Sequence, residues 1–329
     1  MISRRRFTAG VAIALTPLGA RASAQEYKAQ QAKRLPRIGI LLFSDQDRAV
    51  IRPCLQELQA RGYVDGKTVV IEYRDAEGRY DRLPELAGEI ARFHPDVIYS
   101  YGGEQAPIVK QATQSIPIVV VVSNDPVASG LVASLARPGG NVTGVTYVHD
   151  QLAGKVIELL KDAAPRVARV AILWNPNHTD PEYRETQRGA STLGVALQSL
   201  EVRSAQELEV AFQAAARGRP EALIVAGSRL LQRHRQQIGE FASKNRLPLV
   251  GTPTWLLEAG ALLTYGPNTA ELHRRAAGYV DKILKGARPA DLPMQQPASF
   301  ELAINLKVAR ALGLTLPPSL LARADQVIE

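Results

Sequence analysis

The chain has 329 residues, of which 46% are hydrophobic, 22% are charged and only 5% are aromatic. This length exceeds one ordinary domain and suits two domains of roughly 100–150 residues each. The composition is that of a folded soluble protein with a mainly aliphatic core. No stretch is long and apolar enough to predict a transmembrane helix, which needs about 20 residues.

Residues 1–24 have the pattern of an export signal. The arginines at positions 4–6 precede a modestly apolar stretch, and Ala22-Ser23-Ala24 supplies the small residues that signal peptidase requires. The arginines before Phe7 resemble a twin-arginine signal, although an ordinary secretory signal with a basic start fits the same residues. We expect removal of this segment near Ala24/Gln25 and a soluble protein in the periplasm.

Half of the formal net positive charge of the chain lies in this segment. It contains four arginines and no acidic residue, so its removal lowers the formal net charge from +8 to +4. Binding of nucleic acid requires a larger, clustered excess of positive charge. The sequence therefore gives no case for a nucleic-acid partner.

Cys54 is the only cysteine, so no intramolecular disulfide can form. It lies in a helical pattern, which predicts a small buried apolar residue rather than a reactive thiol. Because it lies well inside the mature chain, it cannot carry a lipid anchor.

Strand and helix patterns alternate along the first half of the mature chain, as expected for βαβ units with a parallel sheet. The run Ile118–Val122 is continuously β-branched, which suits a strand buried on both faces. A short helix is predicted after it, through Leu131 and Leu135. The other strands are predicted at 37–43, 68–73, 96–101 and 142–147, and the other helices at 47–61, 80–93 and 104–113.

The same alternation restarts after Tyr147. Asn268 is a candidate N-cap for a helix that runs to Leu284. Strands are predicted at 169–174, 195–201, 222–226, 247–250, 261–265 and 300–304, and helices at 151–162, 181–193, 205–216, 230–244 and 268–284.

Two successive α/β units, with late segments able to return to the first, predict two lobes with parallel sheets. We expect lobe 1 to comprise residues 36–147 plus 266–293, and lobe 2 to comprise residues 148–265 plus 294–329. Several crossings between the lobes would form a hinge with a ligand cleft between them.

The motifs of common enzyme classes are missing from this sequence. There is no G-x-G-x-x-G, Walker loop, G-x-S-x-G elbow or H-E-x-x-H, and the five histidines lack the spacing of metal ligands. Ser123 and Ser228 follow strands but have no evident base nearby. We predict a protein that is not an enzyme and that uses no cofactor or metal.

Short polar turns follow several of the predicted strands. In α/β sheets, ligands bind at the carboxyl ends of the strands. Each turn alone also fits simple turn geometry or a helix cap, but together they predict a site for a small polar ligand. Trp174, Phe43 and Tyr265 are candidates for its apolar walls. The candidate ligand-binding residues are Phe43, Ser44, Gly103, Glu104, Asn124, Asp125, Asn175, Gly227, Ser228 and Thr252.

Several longer runs resemble a known family. They are Gly62–Lys67, Ala76–Leu86, Asp125–Val127, Leu135–Gly144, Trp174–Pro176, Tyr265–Asn268, Tyr279–Gly286 and Ile304–Lys307. With these runs the chain resembles the tryptophan/tyrosine-type substrate-binding proteins of bacterial ABC transporters over essentially its whole mature length.

This resemblance implies a type 1 periplasmic-binding fold with two Rossmann-like lobes, a membrane ABC permease as partner and a small-molecule ligand, and we expect a monomer. In relatives, the turn after the third strand can receive a ligand carboxylate, but here it reads Gly102-Gly103-Glu104-Gln105. Either the Glu104 side chain points away from the ligand, or the ligand is not a plain amino acid, because the Glu104 carboxylate would repel the carboxylate of an amino acid. We expect Asp125→Ala to weaken ligand binding.

Two other functions fit the same sequence. One is a ligand-sensing binding protein for a membrane signalling receptor, and the other is an exported α/β enzyme. A permease encoded next to the protein would favour transport, and recovery of unchanged ligand would argue against an enzyme.

Overall fold

The computed structural model describes residues 34–147, 152–178 and 182–329. The strands are β1 Arg37–Leu42, β2 Val70–Asp75, β3 Val97–Tyr101, β4 Ile118–Val122, β5 Val142–Thr146, β6 Arg169–Trp174, β7 Ala196–Glu201, β8 Ala222–Val225, β9 Leu249–Gly251, β10 Leu263–Pro267, β11 Phe300–Asn305 and β12 Gln326–Ile328. The helices are α1 Gln46–Ala60, α2 Leu83–Arg92, α3 Gln105–Ala112, α4 Leu152–Ala163, α5 Glu182–Thr192, α6 Ala205–Gly218, α7 Arg229–Arg233, α8 Arg235–Lys244, α9 Thr269–Leu284, α10 Leu306–Leu312 and α11 Pro318–Leu321. Short 3₁₀ helices occur at Tyr80–Arg82, Thr254–Leu257 and Pro289–Asp291. The export segment predicted at residues 1–24 lies outside the described residues.

The first sheet is fully parallel, with strand order β2-β1-β3-β4-β5. All five side chains of β4 are completely buried, as the β-branched run predicts. Ile118, Val120 and Val122 pack in one apolar cluster, whereas Val119 and Val121 pack in another on the opposite face. This alternation follows from the two-residue period of a strand. Each such side chain stabilises the fold by roughly 1.5–3 kcal/mol.

The second sheet has seven strands in the order β12-β11-β10-β9-β8-β6-β7. β10 and β11 are antiparallel, and the other neighbouring pairs are parallel. β12 was not predicted from the sequence, since three residues give too short a pattern. Two parallel-dominated sheets with helices on both faces confirm the predicted α/β class.

The polypeptide passes between the two sheets three times. It leaves the first sheet after β5, returns after β10, and leaves again near Gln295, which pairs with Val145 before the chain reaches β11. α9 packs on the first sheet, where Leu272, Ala276 and Val280 join its core. We call β1–β5 with α1–α3 and α9 the first lobe, and β6–β12 with α4–α8, α10 and α11 the second lobe. The exact domain boundaries given above remain a prediction.

The predicted helix after β4 is wrong. Residues 126–140 form turns and bends. The carboxylate of Asp125 accepts hydrogen bonds from the backbone N–H groups of Val127 and Ala128, at 2.8 and 3.1 Å, and so closes a turn. Gly130 then has a φ of +68°, which ends the turn in the left-handed region.

Other helix predictions differ only in detail. The helix predicted at 230–244 is divided at His234 into α7 and α8, and the helix at 80–93 begins with a 3₁₀ turn. Asn268 caps α9 as predicted, since its Oδ1 accepts a hydrogen bond of 2.9 Å from Glu271 N–H.

Cys54 is completely buried, and burial raises the pKa of its thiol to about 12. None of the helices in the described parts of the chain could cross a bilayer.

Candidate ligand-binding site

A cavity of about 670 Å³ lies between the two lobes, at the carboxyl ends of their strands. Four of the ten predicted site residues line it. The other six do not. Those that line the cavity are Glu104, Gly227, Ser228 and Thr252. Those that do not are Phe43, Ser44, Gly103, Asn124, Asp125 and Asn175.

The residues after β1 hold another side chain in place. The backbone N–H of Phe43 donates a 2.8 Å hydrogen bond to the carboxylate of Asp47, and the carbonyl of Ser44 accepts one of 2.9 Å from Asp47 N–H. Asp47 is only 5% exposed. Thus Phe43 and Ser44 orient an acidic residue that the sequence did not single out.

The other predicted residues that miss the cavity stabilise the turns at the strand ends. Asn124 is buried and donates from Nδ2 to the carbonyl of Gly103 at 3.4 Å. Asn175 Oδ1 accepts a 2.9 Å hydrogen bond from Asn177 N–H, and Asp125 closes the turn described above. Asn124 thus connects the turns after β3 and β4, whereas Asn175 and Asp125 have the local role that turn chemistry predicts.

Arg229 is the main contact between the lobes. It begins α7 in the second lobe, yet its Nη1 donates to both carboxylate oxygens of Asp47 in the first lobe, at 2.8 and 2.9 Å. Its Nη2 donates to the carbonyl of Tyr101. Burial alone would lower the pKa of this guanidinium, but the charge of Asp47 and its other partners outweighs burial and raises the pKa. Arg229 therefore stays charged while it is 7% exposed.

The turn after β3 makes room for this guanidinium. Gly102 has a φ of +109°, and a Cβ at this position would lie 2.4 Å from Arg229 Nη2. Only glycine combines this backbone conformation with such a close approach.

Glu104 faces two basic groups of the second lobe. Its Oε1 lies 3.3 Å from His178 Nδ1, and its Oε2 lies 3.7 Å from Arg229 Nε. His178 Nε2 also lies 3.1 Å from Ser123 Oγ of the first lobe. Burial of Glu104 would raise the pKa of its carboxyl group, but the hydrogen bond with His178 and the charges of His178 and Arg229 lower the pKa to about 2. Glu104 is thus a carboxylate at any physiological pH.

The wall of the second lobe is also acidic. Glu182 at the start of α5 accepts hydrogen bonds of 2.8 Å from Gly227 N–H and from Thr252 Oγ1. Ser228 caps α7 by accepting from Leu231 N–H at 3.3 Å. The predicted turn after β8 and the candidate residue Thr252 after β9 therefore converge on one buried carboxylate.

Aromatic side chains contribute to the cavity, but not those predicted. Tyr101, Tyr147 and Trp255 line it. Trp174 instead stacks on Tyr183 in the second lobe, with ring centroids 4.1 Å apart. Phe43 and Tyr265 likewise pack outside the cavity lining.

Sequence reasoning missed Asp47, Arg229, Glu182 and His178. Arg229 directly follows the predicted Gly227-Ser228 turn, so its position in the sequence placed it close to the predicted site. A charged residue at the start of a helix is ordinarily exposed to solvent, however, and nothing in the sequence indicated that this one is buried. Its burial depends on the partners that the other lobe brings, which no local pattern reveals.

A model of the ABC transporter substrate binding protein family matches residues 39–328. The chain belongs to this family. Its members are solute-binding proteins rather than enzymes, and the fold is the type 1 periplasmic-binding fold that the resemblance implied.

Similarity to individual proteins extends over most of the chain. A tyrosine-binding protein of Clostridioides difficile is 25% identical over 310 residues, which cover 89% of this chain and 85% of that protein. The structure of an ABC domain in complex with L-Trp from Streptococcus pneumoniae is 24% identical, with a TM-score of 0.83 over 90% of this chain and 100% of that chain.

A ligand-free structure is also similar to this chain. The ligand-free, open structure of a substrate binding protein with adhesive properties from Clostridium difficile is 25% identical, with a TM-score of 0.68 over 89% of this chain and 99% of that chain. In the present structure, ionic contacts join the two lobes across the cleft, and we call this arrangement closed.

Proposed function

We propose that the protein is an exported receptor that captures a small amino-acid-like solute between its lobes and delivers it to the permease of an ABC importer. The observation that carries this proposal is the cavity of about 670 Å³ whose walls come from both lobes of a substrate-binding protein. A ligand that touches both walls favours the closed state by its differential affinity for that state. The permease would then recognise the closed form.

The chemistry of the walls supports an amino-acid-like ligand. Tyr101, Tyr147 and Trp255 offer an apolar and aromatic surface, while Glu104 and Glu182 can accept hydrogen bonds from an ammonium group. Relatives named for tyrosine and solved with L-Trp belong to the same chemical class. We assign direct ligand contacts to Glu104, Gly227, Ser228 and Thr252.

The proposed cellular location rests on the export signal. The pattern at residues 1–24 supports export and removal near Ala24/Gln25. We propose a monomeric periplasmic protein without a lipid anchor. Small-angle scattering and N-terminal sequencing of protein from the periplasmic fraction would test these points.

The decisive experiment is a ligand screen of the mature protein. Amino acids, amines and small carboxylates would be tested by thermal shift and then by calorimetry, because a ligand that binds only the native state raises the melting temperature. We expect at least one solute to bind and to be recovered unchanged. Binding of none of them would contradict the proposal, and conversion of the ligand would indicate an enzyme instead.

A further inference from the structure

Glu104 has the surroundings of an anion-binding site. It follows the Gly102-Gly103 turn and directly precedes α3, and its side chain is 19% exposed. His178 Nδ1 lies 3.3 Å from one carboxylate oxygen, and Arg229 Nε lies 3.7 Å from the other. An imidazole, a buried guanidinium and the positive end of a helix are groups that proteins use to bind a carboxylate. Here the carboxylate belongs to the chain itself.

The guanidinium of Arg229 already has three protein groups around it, of which two are carboxylates. Its Nη1 donates to Asp47 and its Nη2 donates to the carbonyl of Tyr101. Its Nε makes no hydrogen bond within the described residues, and its charged neighbour there is the Glu104 carboxylate, with Oε2 at 3.7 Å. A ligand carboxylate brought to this edge would lie beside Glu104, and repulsion between like charges would oppose its binding.

The charged residues that line the whole cavity also disfavour an anionic ligand. Of the described residues that line the cavity, five are glutamates and two are arginines, Arg229 and Arg235. Both arginines have carboxylate partners, since Arg229 pairs with Asp47 and Arg235 Nε lies 3.2 Å from Glu258. The lining therefore has an excess of negative charge, which attracts a cation and repels an anion. Tyr147 and Trp255 also line the cavity, and aromatic rings attract cations, as the Tyr101 ring shows with the Arg229 guanidinium 4.7 Å from its centroid.

We propose that Glu104 fills, from within the chain, the anion subsite of this cavity, and that the ligand is an organic amine without a free carboxylate. This inference rests on the proposed function and narrows it, because it replaces a plain amino acid by the corresponding amine. Glu104 is then the residue that determines specificity at the wall of the first lobe.

Matched pairs of ligands test the specificity. Tyramine would be compared with L-tyrosine, tryptamine with L-tryptophan, and 3-methylbutylamine with L-leucine, by calorimetry on the mature protein. We expect the amine of a pair to bind at least about tenfold more tightly than the amino acid. An amino acid that binds as tightly as its amine, or more tightly, would overturn the inference while leaving the proposed function intact.

A second experiment needs no knowledge of the ligand. Glu104→Ala removes the internal carboxylate, so formate should enter the vacated subsite and raise the melting temperature of this variant. At about 0.1 M formate, compared with equal chloride, we expect a rise of several degrees in Glu104→Ala and no such rise in the wild type or in Glu104→Gln, whose amide fills the space. Glu104→Gly serves in its place if the alanine variant does not fold.

The two experiments separate the inference from the function on which it rests. If no solute of any class binds, the proposed function fails, and the formate experiment alone decides whether Glu104 fills an anion subsite. If formate does not stabilise the alanine or glycine variant, there is no such subsite and the inference fails. If formate stabilises the variant and the amines bind more tightly than the amino acids, both proposals stand.

Discussion

Asp47, Glu104 and Arg229 are charged residues that the fold places in one cluster between the lobes. Removal of charges from water is costly, and a buried ion pair often contributes little net stability compared with apolar residues of the same size. The cluster therefore does more to define one arrangement of the lobes than to stabilise either lobe. Loss of a single partner would destabilise the closed arrangement of the lobes, because in that arrangement the remaining charges are buried without compensation.

Asp125 provides the first prediction at this scale. Its carboxylate closes a turn and does not line the cavity. In contrast to the expectation from sequence, we expect Asp125→Ala to lower the free energy of unfolding by about 1 kcal/mol, as loss of a capping carboxylate does, and to leave ligand affinity almost unchanged. Chemical denaturation and calorimetry measure the two quantities.

Ser228→Ala is the matched control for Asp125→Ala. Ser228 also accepts a hydrogen bond from a backbone N–H, but it lines the cavity. We expect a similar loss of stability together with a roughly tenfold loss of affinity. If Asp125→Ala weakened binding as much as Ser228→Ala, Asp125 would belong to the ligand site after all.

His273 provides a prediction about acid stability. It is completely buried in α9 beside Tyr99, and burial lowers the pKa of its imidazole from 6.5 to about 3. As the pH falls below 6.5, the unfolded chain binds a proton at this residue that the folded chain does not bind, so the folded state loses stability. Between pH 6.5 and 4.5 the loss should be roughly 1.4 kcal/mol per pH unit.

The variant His273→Gln isolates this contribution. Its free energy of unfolding, measured by denaturant titration at several pH values, should fall less steeply with acid than that of the wild type. Equal slopes for the two proteins in this range would show that the imidazole of His273 is protonated in the folded state or does not titrate differently on unfolding.

At the scale of secondary-structure elements, β4 and β5 form the edge of the first sheet from which the chain crosses to the second lobe. Gly144 in β5 has a φ of +140°, and a Cβ there would lie 2.1 Å from the carbonyl oxygen of Val120 in β4. The two strands can therefore pair in this register only with glycine at position 144.

Gly144→Ala should consequently lower the free energy of unfolding by about 3 kcal/mol, because it combines a strained backbone with a steric clash. Gly140→Ala is the control, since Gly140 lies in the same region, is exposed and has no atom within 4 Å of the position that a Cβ would occupy. Thermal or chemical denaturation of both variants tests the difference. Similar stability of the two would mean that β5 can shift in register.

At the scale of the whole molecule, the closed arrangement depends on contacts from Arg229 and His178 in the second lobe to acidic residues in the first. A smaller contact adds to them, since Arg233 Nη1 donates to the carbonyl of Gly78 at 2.7 Å. These contacts exist only when the lobes are together, so they bias the equilibrium between open and closed states.

Arg229→Ala should shift this equilibrium towards the open state. A loss of about 3 kcal/mol from the closed state would change the ratio of closed to open molecules about a hundredfold. We expect a larger radius of gyration by small-angle X-ray scattering and weaker ligand binding. Opening lets water reach Asp47 and Glu104, so the variant should still fold.

Arg169→Ala is the control for this experiment. Arg169 pairs with Glu221 at 2.9 Å within the second lobe and takes no part in the cleft. Its radius of gyration should match that of the wild type. An Arg229→Ala variant with an unchanged radius and unchanged affinity would show that the cluster does not control closure.

The sequence by itself determined the α/β class, the two sheets and most element positions, because these depend on local periodicity. The apolar run of β4 and the cap at Asn268 are examples in which neighbouring residues carry all the information. The sequence also identified the polar turns at strand ends, because the polarity of a parallel sheet brings those ends to one side. The sequence did not distinguish the turns whose residues line the cavity from the turns whose polar side chains only bond to nearby backbone groups.

Tertiary structure alone decided which polar residues form the site. Arg229 and Asp47 are 182 positions apart, and neither has a local pattern that predicts burial. A charged side chain is buried only when another part of the chain supplies its partners, and here those partners come from the other lobe. The fold, which depends on short-range patterns, was therefore predictable, whereas the charge arrangement that selects the ligand arises only when the two lobes meet.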